Sequence, residues 1–126
     1  MKAGQVLFDS GPVVRVEIAT EPHEHSKGLM GRTSLEGDEG MLFAMSGRLD
    51  WPFWMARTKI PLDLIFIDTV IPGADQGHVV GVLSLRPFDE KKHRLGQLST
   101  HVLEVNGGFA RRWEIAVGQR VQILET

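Results

Sequence analysis

The chain has 126 residues, a formal net charge of −2 from 14 basic and 16 acidic side chains, and no cysteine. That length suits one domain whose core needs no staples, and the missing Cys removes disulfides, thiolate nucleophiles and Cys-ligated zinc. The near-neutral charge gives no field to draw nucleic acid or an anionic membrane, and no run approaches the ~18 apolar residues of a membrane span.

Residues 1–126 read as a single domain, with 1–12 as an N-terminal extension or an edge strand. The opening residues "MKAGQVLFDSGP" lack the apolar stretch of a signal peptide. "VVRVEIA" (13–19) then alternates, with Val14, Val16 and Ile18 on one face, as in a half-buried strand. In "TEPHEHSKGLMGR", Thr20 offers an N-cap and Pro22 suits a first turn. The spacing predicts a helix of about two to three turns, ending near Gly28 or Gly31.

"MLFAM" (41–45) and "LDLIFID" (62–68) are apolar on both faces, as central strands are. "HVVGVLSL" (78–85) is a further strand, with Gly81 as a bulge or close-approach point. "HVLEV" (101–105) and "RVQIL" (120–124) follow, separated by "GFARRWEI" (108–115), whose Phe109 and Trp113 stand at helical spacing before Gly118. The fold class is α+β, mainly β: a compact twisted antiparallel sheet or partly closed barrel with two short helices.

Two blocks, "GLMGRTSLEGDEGMLF" and "FWMARTKIPLDLIFID", together with the closing "VLEVNGGFARRWEIAVGQRV", resemble domain-of-unknown-function family 192, a set of small bacterial and archaeal domains. The resemblance runs from about Val13 to the C-terminus. It implies a compact β-rich fold and export, so a periplasmic location, but no activity. Where the family reads "FWMKNT", this chain has Ala56 and Arg57 between Met55 and Thr58.

Asp63 is the most conspicuous polar residue, because alternation sets it with Ile65 and Ile67 on an apolar face. Such a carboxylate must be paired or hydrogen-bonded. It is either a structural acceptor of backbone N–H groups or ion partner of Arg32, Arg57 or Lys59, or else a perturbed acid lining a pocket. Trp51, Phe53, Trp54 and Met55 form a dense aromatic and thioether patch. With Thr58 and with Arg32 and Arg57 at one end, they would make an apolar cleft for a small anion or a peptide terminus, to which Met30 adds a wall.

His23 and His25 face apart on a helix, and "EGDEG" (36–40) lacks the spacing of a calcium loop, so no metal and no cofactor is expected. The short basic clusters at 91–94 and 111–112 read as solvated surface. No nucleophile elbow, phosphate loop or dinucleotide fingerprint is present. Asp63 paired with Asp68 or Glu104 would do acid–base work only if the fold joined them.

The leading expectation is therefore a non-catalytic binding module for a small anionic or peptide-like ligand at Arg32, Trp54, Met55, Arg57, Thr58 and Asp63. The alternatives are a small hydrolase or lyase using Asp63 as acid or base, and a structural or interaction protein of the cell envelope. The sequence decides neither whether the chain is an enzyme nor its oligomeric state.

Overall fold

A computed structural model describes all of residues 1–126. Seven strands form a closed barrel in the order β1–β2–β3–β6–β4–β5–β7. They are β1 Lys2–Phe8, β2 Val13–Ala19, β3 Glu39–Leu49, β4 Leu62–Asp68, β5 Gln76–Leu85, β6 Ser99–Asn106 and β7 Arg120–Glu125. All neighbours are antiparallel except β2 and β3, which run parallel across the connection that carries helix α1 (Pro22–Lys27).

β1 is neither an extension nor an edge. It pairs with β2 on one side and β7 on the other, because Val6 and Phe8 alternate into the barrel core. Closing the sheet in this way leaves no free edge.

The alternation of each strand splits the apolar residues into two groups. Val14, Val16, Ile18, Leu42, Ile65, Ile67, Leu103 and Val105 fill the barrel, with Phe109 closing one end. Met41, Phe43, Leu64, Phe66 and Val102 point outward from β3, β6 and β4, yet they too are buried. That explains why "MLFAM" and "LDLIFID" are apolar on both faces: one face is barrel interior and the other lies under a roof.

The roof is irregular chain. It comprises α1 with the turn to Arg32, the segment 51–60, and the loop 86–95. Backbone bonds stitch these together: Gly31 N–H donates to the Arg57 carbonyl (3.0 Å), Phe88 N–H to Thr58 (3.0 Å), Met55 N–H to Asp89 (2.8 Å), and Phe53 and His93 exchange a pair (2.9 and 2.7 Å).

α1 is six residues, shorter than the spacing predicts, and Glu21 rather than Thr20 is its N-cap. The reason lies in Glu24, whose Oε1 accepts from the backbone N–H groups of both Thr20 and Glu21 at 3.0 Å, tying down the first turn. The second helix, α2, is the single turn Phe109–Arg112. At Gly81 both readings apply. The β4–β5 register slips between Phe66 and Ile67, opposite Gly81 and Val79, and Leu95 lies so close that a Cβ on Gly81 would come 2.6 Å from its methyl group.

Candidate functional site

The roof does not seal the wall beneath it. A cleft of about 300 Å3 opens between α1 and the 51–58 segment, lined among others by His25, Lys27, Gly28, Met30, Phe43, Phe53, Trp54, Thr58, Lys92 and Glu104. Its floor is the outward face of β3 and β6. Glu104 stands at the centre of that face, paired in register with Met41 on β3 and Leu64 on β4. The parity that sends Leu103 and Val105 into the barrel sends Glu104 and Val102 out under the roof.

Glu104 is only 5% exposed. No protein group donates a hydrogen bond to its carboxyl, and burial alone pushes its pKa up to about 8. At pH 7 the side chain is mostly the protonated acid, presenting an O–H donor and a carbonyl acceptor to the cleft, with a minor carboxylate fraction. Its oxygens open on the cleft, where water or a ligand meets them in place of a group from the fold.

Aromatic rings make the adjoining wall. Phe43 and Phe53 meet edge to face at 5.5 Å, as do Phe53 and Phe66 at 5.9 Å, while the His25 ring lies 5.7 Å from Phe43. His25 is oriented by the Ala19 carbonyl, 2.8 Å from Nε2. A carbonyl only accepts, so Nε2 carries the hydrogen. At the mouth, Lys27 and Lys92 are exposed, and the Lys92 ammonium sits 5.9 Å from the centre of the Trp54 ring.

Of the six residues expected to hold the ligand, Trp54 and Thr58 line this cleft, as do Phe53 and Met30 from the expected walls. Trp54 is 46% exposed on its rim, and Thr58 is buried in its wall with Oγ1 donating weakly to the Ala56 carbonyl at 3.4 Å. Met55, beside them in sequence, turns the other way into the packed layer. Arg57 is exposed in a left-handed turn at φ 57°. Arg32 pairs with Glu17 at 2.6 Å and borders the next surface hollow, which shares Lys27, Gly28 and Met30 with the cleft.

Asp63 is a structural acceptor. One oxygen takes the Ser84 hydroxyl at 2.8 Å, the other the backbone N–H groups of Gly108 and Ala110 at 3.2 and 3.0 Å. Buried and enclosed by these donors, it is not placed to exchange protons with a substrate, and the hydrolase or lyase reading built on it falls. Asp68 is likewise claimed, by the Arg48 guanidinium and the Val70 N–H. Glu104, named from the sequence only as a partner for Asp63, faces the opposite side of the sheet from Asp63 and opens on the cleft. The signal was present, since "HVLEVN" carries an acid between two apolar neighbours just as "LDLIFID" does. No three His, Asp or Glu side chains converge as a metal shell, and no helix is long and apolar enough to cross a membrane.

Comparison with known proteins agrees with the architecture. Residues 5–123 match the model of a family described as an uncharacterised ACR. A protein of unknown function from Novosphingobium aromaticivorans superposes with a TM-score of 0.82 and 36% identity, over 95% of this chain and 83% of the other. A Sinorhizobium meliloti protein described as a candidate transcription regulator gives 0.83 and 28%, over 97% and 92%. No curated protein matches. The chain belongs to the family DUF192, uncharacterised as to function.

Proposed function

We propose that the protein is a binding module for a small ligand with an apolar body and an anionic end, held in the cleft over Glu104. The observation that carries this reading is the Glu104 carboxyl, 5% exposed and unpartnered, facing a cleft with aromatic walls. A ligand acceptor placed on its O–H would satisfy a group the fold leaves unpaired. Phe43, Phe53 and Trp54 suit an aryl or branched aliphatic group. Lys27 and Lys92 at the mouth supply the cationic end that sequence reasoning sought in Arg32 and Arg57.

The test is a thermal-shift screen against aryl and aliphatic carboxylates, amino acids and short peptides, with Trp54→Ala in parallel. Trp54 is half exposed and belongs to neither buried cluster, so its removal should cost the fold little. A ligand at a hundred times its Kd adds about 2.7 kcal/mol, a rise in midpoint of several degrees. The expected result is a rise with one class of anion that Trp54→Ala reduces. No rise across the panel, or a rise indifferent to Trp54→Ala, overturns the proposal.

A further inference from the structure

Glu104 is more than a hydrogen-bonding contact. It stands in register between Met41 and Leu64, and its carboxyl has no cation bonded to it and no donor from the fold. A carboxylate in such surroundings is poorly solvated, which makes it a stronger base than one in water. The other chemistry of the cleft is limited. Its two hydroxyls, Ser26 and Thr58, are not bonded to any base, so neither is set up as a nucleophile.

We propose that the cleft catalyses proton transfer at a carbon of its ligand, a keto–enol isomerisation with Glu104 as the group that takes the proton and returns it. The inference rests on the binding reading above and adds a reaction to it. In the keto-to-enol direction, the Glu104 carboxylate takes a proton from the carbon beside a carbonyl. The C–H pair becomes the new C=C bond, the carbonyl π pair moves to oxygen, and Glu104 delivers its proton to that oxygen. Nothing is oxidised or reduced, and no co-reactant is consumed.

Burial pushes Glu104 up to about 8, so a useful fraction is ionised near neutrality while the remainder is poised as the acid for the return step. The other titratable groups around it are His25 and Lys27 on α1 and Lys92 on the 86–95 loop, while β3 and β4 offer only Met41 and Leu64 at its sides.

Phenylpyruvate is the probe, since it combines an aryl body, a carboxylate and an acidic methylene. Its methylene exchange in D2O is followed by proton NMR with the wild type, Glu104→Gln and Glu104→Asp, and its binding by thermal shift on the same samples. The wild type should accelerate exchange by at least about 100-fold over buffer, the lower end for general acid–base catalysis. The rate should rise with pH and level off above about 8. Glu104→Gln should bind the probe yet exchange it at the buffer rate, whereas Glu104→Asp should retain part of the acceleration.

Binding with buffer-rate exchange, or a Glu104→Gln variant as fast as the wild type, overturns the reaction and leaves the binding reading standing. If phenylpyruvate produces no midpoint shift and no acceleration, the reaction and the aryl-anion reading fall together.

Discussion

Gly28 lies over the Glu104 carboxyl: a Cβ at position 28 would come 3.8 Å from Oε1 and 3.2 Å from the tip of the Phe43 ring. Its backbone, at φ 47°, is in the region that side chains other than glycine's rarely adopt. This one residue therefore sets both the roof height of the cleft and the turn out of α1. At φ 47° and ψ −130°, Gly28→Ala should cost roughly 1–3 kcal/mol from backbone conformation alone, read as a lower urea midpoint. The added methyl group narrows the space above Glu104, so ligand-induced thermal shifts should shrink by more than the stability loss explains.

The carboxyl beneath Gly28 makes stability depend on pH in a direction opposite to that of most acids. Its folded-state pKa is raised, from 4.5 to about 8, so the folded chain binds the proton more tightly than the unfolded chain does. Stability from this group is therefore full below about pH 4.5 and falls as pH rises toward 8, by roughly 5 kcal/mol. Urea titrations at pH 5, 7 and 9 should show the wild type weakening across the series. In Glu104→Gln, which mimics the protonated side chain, that part of the decline should vanish.

The acid at 104 was as open to inspection as the acid at 63, and the two look alike in sequence. "LDLIFID" coincides with β4, and its alternation sets Asp63 beside Ile65 and Ile67 as the structure does. What alternation does not reveal is which outward face will be roofed. That depends on the pairing of Phe53 with His93 and of Gly31 with Arg57, contacts between irregular segments far apart in the chain with no periodicity of their own. For the same reason Trp54 and Thr58 could be drawn into a site, while Lys92 and His25 could not. Met55 adjoins Trp54 in sequence, but in irregular chain adjacency says little about direction.

At the far end of β4, Asp68 shows the ordinary sign. Burial pushes its carboxyl up, but the Arg48 guanidinium (2.8–3.1 Å) and the Val70 N–H (2.8 Å) together hold it below 3.8. Its contribution is present above about pH 3.8 and is lost as pH falls through the folded value. Arg48→Ala strips the cation from a buried carboxylate, so it should lower the urea midpoint at pH 7. The deficit should narrow as pH drops and Asp68 becomes protonated in both proteins. An equal deficit at pH 7 and pH 3 would mean that Arg48 acts through packing and not through charge.

Asp63 joins three elements with one carboxylate, taking Ser84 of β5 on one oxygen and the start of α2 on the other. Asp63→Ala leaves the Ala110 and Gly108 N–H groups without their acceptor and opens a gap at the end of the barrel where Phe109 closes it. Hydrogen bonds to a charged acceptor contribute about 1.5–3 kcal/mol each and do not add fully, so the cost should be roughly 3–5 kcal/mol in chemical denaturation. Asp63→Asn retains one oxygen acceptor and should lose less. Because Asp63 faces the barrel interior and Glu104 faces the roof, thermal shifts produced by a cleft ligand should be as large in Asp63→Asn as in the wild type. A ligand shift abolished in Asp63→Asn would return Asp63 to the binding site and displace Glu104 from the centre of it.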